Sequence, residues 1–283
     1  MKYNLLGNSD LNVSKIGFGC WATSKHGWKD VNLNDAIKTL ETSFEYGINF
    51  FDTAPIYGFG KSEEILGQVF NSVRNKIIIA TKFGLRWNEF GKVIHDLSRD
   101  SIMYEIEASL KRLRTNYIDL YQIHWPDNKT DILEVINTLE ELKSQKIIKH
   151  IGVSNLNIDD LKKISSFIVS TQNKYNLLEK NVESNILPFC NKKNIGFIAY
   201  SPLAQGLLSG KIDSSYKFSK NDIRRFNPLF KDKELFNKID KINKPLINSA
   251  LKFLLEKKDV SSILISMTKL NHLKENIKIA ESI

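Results

Sequence analysis

Residues 117–154 read YIDLYQIHWPDNKTDILEVINTLEELKSQKIIKHIGVS, and the architecture can be worked out from this stretch. Two short β-rich runs, residues 117–124 and 149–154, flank residues 130–146, in which apolar residues return every three and four positions. A strand, a helix and a second strand in this order predict two neighbouring parallel strands joined by a crossover helix.

The same alternation continues in both directions along the chain. The candidate strands are IGFG (16–19), GINFFD (47–52), KIIIAT (76–81), YIDLYQIH (117–124), KHIGVS (149–154), FIVSTQ (167–172), IGFIAY (195–200) and SSILIS (261–266). Helical periodicity is clearest between them at residues 33–46, 99–114, 130–146 and 245–258. Eight strand-helix units in roughly 250 residues predict a (β/α)8 TIM barrel of the α/β class.

Residues 3–14 precede the first of these units. They read as a β-hairpin that turns at residues 7–10, and we expect this hairpin to cap the bottom of the barrel. Because no linker or low-complexity tract interrupts the pattern, residues 1–283 are predicted to form a single barrel domain.

The composition is that of an ordinary globular protein, with 283 residues, 42% of them hydrophobic, and a net charge of +9. The lysines are spread along the chain, which indicates solvated helix faces rather than nucleic-acid binding. The two cysteines, Cys20 and Cys190, have no CxxC spacing, so neither a disulfide framework nor a metal site is predicted. The amino terminus lacks the apolar core of a signal peptide, and no apolar run approaches the ~18 residues of a membrane span. We therefore expect a cytoplasmic protein with no membrane partner.

Polar side chains stand at the carboxyl ends of three successive candidate strands. Asp52 ends the second strand, Lys82 follows the third, and His124 ends the fourth, while Tyr57 lies in the loop directly after Asp52. In a barrel the carboxyl ends of the strands meet at one mouth, so these four side chains are predicted to converge. Each residue alone also fits a plainer role, such as a turn cap or a packed loop aromatic, and it is the convergence that favours a catalytic site.

The chemistry of the four residues is complementary. Beside Asp52 the Lys82 ammonium stays charged, and a cation next to Tyr57 is expected to lower the pKa of the phenol from its reference near ~10. Tyr57 would then act as a general acid, and His124 could hydrogen-bond the same oxygen that Tyr57 protonates. A reduction at such a site requires a cofactor as the electron source.

The motifs DTAPIYGFGKSEEILG, IATKFG, SLKRLRTNYIDLYQIHWPD, HIGVSN, QNKYNLLE and AYSPLAQGLLSGK, in this order, resemble those of the aldo-keto reductases across nearly the whole chain. That family is a (β/α)8 barrel that transfers hydride from a nicotinamide cofactor, usually NADPH, to an aldehyde or ketone. The resemblance implies that its catalytic tetrad falls on Asp52, Tyr57, Lys82 and His124, and that Asp52 holds the lysine that tunes Tyr57.

The resemblance also implies a cofactor site. Ser154, Asn155 and Gln172 would hold the nicotinamide carboxamide, and Tyr200 would stack on the nicotinamide ring. The following segment resembles the one that wraps the pyrophosphate, through Ser201, Leu203, Gln205 and Gly206 to Lys211.

The adenosine end of the predicted cofactor site departs from the family pattern. Many members carry an Ile-Pro-Gly segment here, but Ile265 and Ser266 stand in place of Pro-Gly. The residues that match the adenosine-binding positions are Thr268, Lys269, His272, Glu275 and Asn276. A single lysine, Lys269, can bind a 2'-phosphate as a point charge. NADPH is the expected cofactor, and NADH remains an alternative.

The substrate is expected to be a small carbonyl compound bound at the barrel mouth. Trp21, Trp87 and Trp125 lie in or near loops that follow strands, so they are predicted to line this mouth. Two long connections, residues 83–98 and 203–243, are the expected substrate and cofactor walls. Within the second, residues 224–230 read equally well as a lid or as an ordinary surface excursion.

Two rival functions stay open at this point. One is a Schiff-base lyase on the same barrel with Lys82 as the nucleophile, which requires a neutral lysine and is disfavoured by Asp52. The other is a non-catalytic subunit that binds a nicotinamide nucleotide as a regulator. The protein is expected to be a monomer or a weak homo-oligomer, and the sequence does not identify the substrate.

Overall fold

A computed structural model describes residues 1–24, 27–28, 31–220 and 222–283 of the chain. Its strands are β1 (Tyr3–Leu5), β2 (Asn12–Ser14), β3 (Ile16–Gly19), β4 (Phe50–Asp52), β5 (Ile78–Phe83), β6 (Leu85–Trp87), β7 (Val93–His95), β8 (Ile118–Ile123), β9 (Ile148–Ser154), β10 (Ser170–Lys174), β11 (Gly196–Tyr200) and β12 (Ser262–Ile265). Its α-helices are α1 (Leu33–Glu45), α2 (Lys61–Phe70), α3 (Arg99–Leu113), α4 (Ile132–Ser144), α5 (Ile158–Lys163), α6 (Ile186–Lys193), α7 (Lys233–Ile239), α8 (Leu246–Leu255) and α9 (Leu270–Glu281).

Eight parallel strands close into a barrel in the order β3-β4-β5-β8-β9-β10-β11-β12, and β12 pairs with β3 to complete it. Each of these strands overlaps one of the eight candidate strands, so the predicted (β/α)8 barrel is confirmed. The bounds differ by a few residues. β10, for example, begins at Ser170 and continues to Lys174, which places Gln172 in the middle of the strand rather than at its end.

The helices form where the sequence combines a capping residue with an apolar stripe. α4 begins after Asp131, whose carboxylate accepts a hydrogen bond from the amide of Leu133. Its buried face, which includes Val135, Ile136 and Leu139, belongs to the core between helices and barrel. In the described ranges, no helix has both the length and the apolar character that crossing a membrane requires.

The predicted hairpin before the barrel is also confirmed. β1 and β2 pair antiparallel, with Tyr3 opposite Ser14. Leu6, Leu11 and Val13 are buried in one cluster with Phe50, Leu120 and other residues of the barrel interior. The hairpin therefore closes the bottom of the barrel with apolar side chains, and the polar mouth is left at the opposite end.

The two long connections contain more structure than the sequence indicated. Residues 83–98 include the antiparallel pair β6 and β7, with Trp87 opposite Val93. Residues 203–243 contain 3-10 turns at Ala204–Ser209, Ile223–Phe226 and Pro228–Lys231, followed by α7. Both connections follow barrel strands, as expected for walls of the mouth.

Replacement of Gly7 by alanine should destabilise the fold at the contact between hairpin and barrel. Gly7 has φ +60°, and a Cβ built there lies 2.3 Å from the Val169 carbonyl oxygen and 2.5 Å from the Gly196 nitrogen. We expect Gly7→Ala to lower the free energy of unfolding by about 2 to 4 kcal/mol, the sum of left-handed strain and a backbone clash.

The matched control is Gly210→Ala, measured in the same urea denaturation experiment. Gly210 has a similar φ of +76°, but none of the described atoms lies within 4 Å of its added Cβ. This variant should lose only about 1 to 2 kcal/mol, the backbone cost alone. Equal losses in the two variants would contradict the close contact at Gly7.

Candidate active site

The ammonium group of Lys82 lies at the centre of the barrel mouth and is fully buried. Its Nζ donates to Asp52 Oδ1 at 2.5 Å, to the Thr53 carbonyl at 2.9 Å and to Tyr57 Oη at 3.3 Å. These three acceptors use all three of its protons, so the charge is satisfied without water. The single contact to Tyr57 Oη links the ion pair to a group that faces the mouth.

The second carboxylate oxygen of Asp52 is also hydrogen-bonded. Oδ2 accepts from Gln172 Nε2 at 2.8 Å and from Gln122 Nε2 at 3.2 Å. Both glutamine side chains are buried, as is Asp52 itself. The carboxylate is therefore fixed by one cation and two amides, which is the usual way a buried charge is stabilised.

Tyr57 is positioned by a tight loop between β4 and α2. Gly58, Phe59 and Gly60 all have positive φ, with values of 64°, 53° and 92°, and the Gly60 amide donates to the Pro55 carbonyl at 2.6 Å. A Cβ at Gly58 would approach Ser24 Cβ to 2.5 Å, so glycine is required for the loop to pack there. The resulting turn aims the phenol back at Lys82.

His124 lies beside Tyr57 just after β8. The two rings meet edge to face with centroids 5.7 Å apart. Burial lowers the pKa of His124 well below its ordinary value, and the positive charge of Lys82 acts in the same direction. The imidazole is therefore neutral near pH 7 and can donate one hydrogen bond without adding a charge.

The ionisation of Lys82 and Tyr57 follows from the same contacts. Burial lowers the pKa of Lys82, but Asp52 and Tyr57 raise it, and the balance lies above its ordinary value, so the lysine stays charged. Burial raises the pKa of Tyr57, Lys82 lowers it, and here too the balance lies above the ordinary value. Lys82 therefore lowers the pKa of Tyr57 as expected, but burial outweighs the cation, so the net shift is upward rather than downward.

The residues predicted for the nicotinamide lie next to this cluster and already hydrogen-bond one another. Asn155 Nδ2 donates to the His124 carbonyl at 3.0 Å and to Ser154 Oγ at 2.9 Å. Tyr200 Oη donates to Asn155 Oδ1 at 2.9 Å, and Ser154 Oγ donates to the Gln172 carbonyl at 2.9 Å. The structure therefore brings all four together, in contact with the tetrad through His124 and Asp52.

The predicted pyrophosphate segment follows β11 in a sharply turned conformation. Ser201, Gln205 and Gly206 have φ of 54°, 55° and 97°. The side chain of Leu203 is partly buried and packs against an apolar cluster that includes Leu207 and Leu208. The side chain of Gln205 is engaged elsewhere, since its Oε1 accepts from Asn227 Nδ2 at 3.0 Å.

The predicted adenosine end forms a cationic corner. Lys211 Nζ lies 3.1 Å from His272 Nε2, and Thr268 and the exposed Lys269 immediately precede α9. Burial lowers the pKa of His272, and the charges of Lys211 and Lys269 lower it further.

The last two residues predicted for this end lie further along α9. Glu275 is exposed, whereas Asn276 is buried. None of the described groups hydrogen-bonds Asn276 Oδ1.

The predicted substrate tryptophans differ in their distance from the tetrad. Trp21 stacks on Tyr57 with ring centroids 5.8 Å apart. Trp87 contacts Phe59, at 5.4 Å between centroids, and Trp125 follows His124 and is 41% exposed. Trp21 therefore forms the nearest aromatic wall, and the other two lie further out on their loops.

The segment 222–230 contacts two loops that follow barrel strands. The Ile223 amide donates to the Gly27 carbonyl at 3.2 Å, and the Arg224 guanidinium lies over the Trp28 ring at 5.1 Å. On its other side, Arg224 Nη1 donates to the Gln205 carbonyl at 3.5 Å. These contacts join the loop after β3 to the loop after β11.

Sequence reasoning missed Gln122 and Thr53. Gln122 lies within an apolar run, and its contact with Asp52 depends on strand register, which the sequence does not display. Thr53 contributes its backbone carbonyl, a group that every residue has. The Asp52-Thr53 pair at the end of β4 is visible in the sequence, but nothing in it indicates a carbonyl turned toward Lys82.

Comparison with known proteins agrees with this arrangement. Residues 15–282 match the sequence model of the Aldo/keto reductase family. The chain is 36% identical over 251 residues to the aldo-keto reductase YhdN of Bacillus subtilis (strain 168), which covers 86% of this chain and 76% of that protein. It is 33% identical over 304 residues to the NADH-specific methylglyoxal reductase of Escherichia coli (strain K12), covering 98% and 93%. The solved structure of glycerol dehydrogenase AKR11B4 from Gluconobacter oxydans has a TM-score of 0.85 at 32% identity, covering 99% and 94%.

The buried ion pair should dominate stability at the mouth. Removing one partner leaves the other buried with its charge uncompensated, so Asp52→Asn and Lys82→Met should each cost about 3 to 5 kcal/mol of unfolding free energy. The double variant should cost clearly less than the sum, by about 1 to 3 kcal/mol, because the residues are coupled. Urea denaturation followed by circular dichroism measures all three variants.

The exposed pair Lys61 and Glu64, 3.1 Å apart and about half exposed, supplies the matched control. Lys61→Met and Glu64→Gln should each change the unfolding free energy by no more than about 0.5 kcal/mol. Additive losses for Asp52 and Lys82 would show that the two residues are not coupled as the geometry indicates.

Proposed function

Because the chain belongs to the aldo/keto reductase family, we propose that it reduces an aldehyde or a ketone to an alcohol with Tyr57 as the general acid. The observation that carries this proposal is the position of Lys82 Nζ, which contacts Asp52 Oδ1 and Tyr57 Oη at the same time. A buried cation in contact with this hydroxyl stabilises the phenolate that forms when Tyr57 donates its proton to a carbonyl oxygen.

The protonation states of the tetrad support reduction. Tyr57 is held in its protonated form near pH 7, which is the form that donates a proton. When the phenol gives up its proton, the charged Lys82 stabilises the phenolate. The main contribution of the lysine is therefore to stabilise the negative charge that forms on the Tyr57 oxygen during proton transfer. The neutral His124 can donate a hydrogen bond to the same carbonyl oxygen and fix its orientation.

The side chains fit a nicotinamide cofactor at both of its expected ends. Next to the tetrad, the amides and hydroxyls of Ser154, Asn155 and Gln172 can bind a carboxamide. When bound, such a cofactor supplies the hydride, which no protein side chain can donate. Burial is the main cause of the lowered pKa of His272, and the positive charges of Lys211 and Lys269 lower it further. These two ammonium groups form a surrounding that suits phosphate groups.

We propose NADPH as the preferred cofactor, with Lys269 on the 2'-phosphate. The exposed ammonium of Lys269 at the start of α9 can act as a point charge. The Escherichia coli relative is described as NADH-specific. NADH therefore stays the alternative, and it is favoured by the absence of Pro-Gly at Ile265 and Ser266.

The two other functions are less well supported. A Schiff-base lyase needs a neutral Lys82, whereas Asp52 and Tyr57 raise the pKa of this lysine. A non-catalytic nucleotide-binding subunit would not need the contact between Lys82 and Tyr57, yet this contact is made. Measurement of turnover separates the reductase from the non-catalytic subunit.

Tyr57→Phe should abolish most carbonyl reduction and leave cofactor binding intact. Loss of a general acid typically lowers kcat by ~100 to 10,000-fold, and the phenyl ring still packs against Trp21. Stopped-flow or steady-state assays with an aldehyde panel measure kcat, and tryptophan fluorescence measures the Kd of NADPH.

The control for this variant is Tyr46→Phe, at the carboxyl end of α1 and 37% exposed, which should keep full activity. Reduction of a good substrate by Tyr57→Phe at the parental rate would rule out Tyr57 as the general acid. Turnover by neither the parent nor the variants, with tight cofactor binding, would favour the non-catalytic subunit.

Lys269→Met should weaken NADPH binding while NADH binding is unchanged. A single charge contact to phosphate is worth about 1.4 kcal/mol or more, so we expect the Kd of NADPH to rise ~10-fold. The control is Lys278→Met, an exposed lysine near the other end of α9, which should alter neither Kd. Equal affinities of the parent for NADH and NADPH would show that Lys269 does not select the phosphate.

A further inference from the structure

We propose that Gln122 is a positioning residue of the active site, which fixes Asp52 so that its other oxygen stays on Lys82. This assignment rests on the proposed reductase function for its effect on catalysis. The hydrogen bond on which it is based does not depend on that function.

The side chain of Gln122 lies in the layer of the barrel interior that contains the tetrad. Its strand β8 pairs with β5, and the register places Gln122 directly beside Lys82. The side chain is completely buried, and its Nε2 donates to Asp52 Oδ2 at 3.2 Å. Because an ionised carboxylate can only accept, the amide nitrogen must be the group that faces Asp52.

Space for this side chain depends on a glycine in the next strand. Gly152 of β9 is the register partner of Gln122 on the opposite side of β8. A Cβ at Gly152 would lie 3.0 Å from Gln122 Cγ and 2.8 Å from Ser170 Oγ. A larger residue would displace the glutamine chain, so the interior is shaped to let Gln122 extend toward Asp52.

The cost of this arrangement indicates that the amide has a specific role. Among the described residues, no donor reaches Gln122 Oε1, although the atom is buried. Such an unpaired buried carbonyl destabilises the folded state, a cost that an apolar residue of the same size would avoid. Packing alone would therefore favour methionine or leucine at position 122. The advantage of glutamine over these residues is the hydrogen bond from its Nε2 to Asp52.

The effect of this contact on Tyr57 is electrostatic and geometric. With Oδ2 held, the carboxylate cannot rotate away, and Oδ1 remains 2.5 Å from Lys82 Nζ. The amide dipole also offsets part of the Asp52 charge, which would otherwise raise the pKa of Tyr57. Gln172 shares this task. Gln172 is also one of the residues predicted to hold the carboxamide, whereas Gln122 has no predicted contact with the cofactor.

The experiment replaces the amide with an apolar group of similar length in Gln122→Met. We expect kcat to fall ~3 to 30-fold, and the alkaline limb of the pH profile for carbonyl reduction to move up by ~0.5 to 1 pH unit. The Kd of NADPH should stay within ~2-fold of the parent. The matched control is Tyr121→Phe, because Tyr121 is the buried neighbour on β8 and, within the described chain, nothing hydrogen-bonds its hydroxyl.

A lower kcat with an unmoved pH profile, or an equal effect in Tyr121→Phe, would assign Gln122 a packing role and overturn the proposal. If Gln122→Met does not fold, Gln122→Leu repeats the test. Failure of both to fold, with Tyr121→Phe intact, would also mark a purely structural residue.

A second readout needs no turnover and so separates this proposal from the proposed function. Gln122→Met should lower the urea midpoint in the parent but hardly at all in an Asp52→Asn background, because its partner charge is then gone. An equal shift in both backgrounds would show that Gln122 does not act through Asp52. Absence of turnover in the parent would refute the reductase while leaving this coupling measurable.

Discussion

The buried charge of Lys82 is the constraint on which the site depends. A lysine inside a barrel is stable only if every proton finds an acceptor and a counterion lies close, and Asp52, Thr53 and Tyr57 meet that need. Asp52 is in turn held by Gln122 and Gln172. Four strands thus contribute side chains to one charge network, and the positions of β4, β5, β8 and β10 are tied together by it.

This network also explains why the barrel interior is divided into two parts. Its lower part is filled by apolar residues such as Phe50, Leu120 and Ile198, and the β1-β2 hairpin adds Leu6 and Val13 from below. Closing the bottom with hydrocarbon keeps water away from the ion pair on that side, so its contacts are stronger than they would be in solvent. The polar end of the barrel interior is the mouth. The candidate catalytic side chains therefore lie at the end of the barrel where the loops after the strands surround them.

The sequence predicted those features that depend on local pattern. The eight strands, the long helices and the convergence of Asp52, Lys82 and His124 follow from periodicity and from the rule that strand ends share a face. It did not predict features that depend on register and distance. The contact of Gln122 with Asp52 depends on the register that pairs Gln122 with Lys82. The strands β6 and β7 have only three residues each, which is too short for a clear sequence pattern. The pKa of Tyr57 depends on the burial of the phenol, which only the folded structure shows.

The hydrogen bonds of Asn155 suggest how binding energy is divided across the site. The side-chain nitrogen of Asn155 already donates to the His124 carbonyl and to Ser154 Oγ, and its side-chain oxygen already accepts from Tyr200 Oη. A carboxamide that binds here exchanges existing hydrogen bonds for new ones, so the net gain in affinity is small. In the proposed function, most of the affinity for an anionic dinucleotide would then come from the cationic corner at Lys211 and Lys269. The contacts beside the tetrad would mainly orient the nicotinamide ring of that proposed cofactor. A small error in the position of the ring would lower the reaction rate more than a small loss of binding energy would.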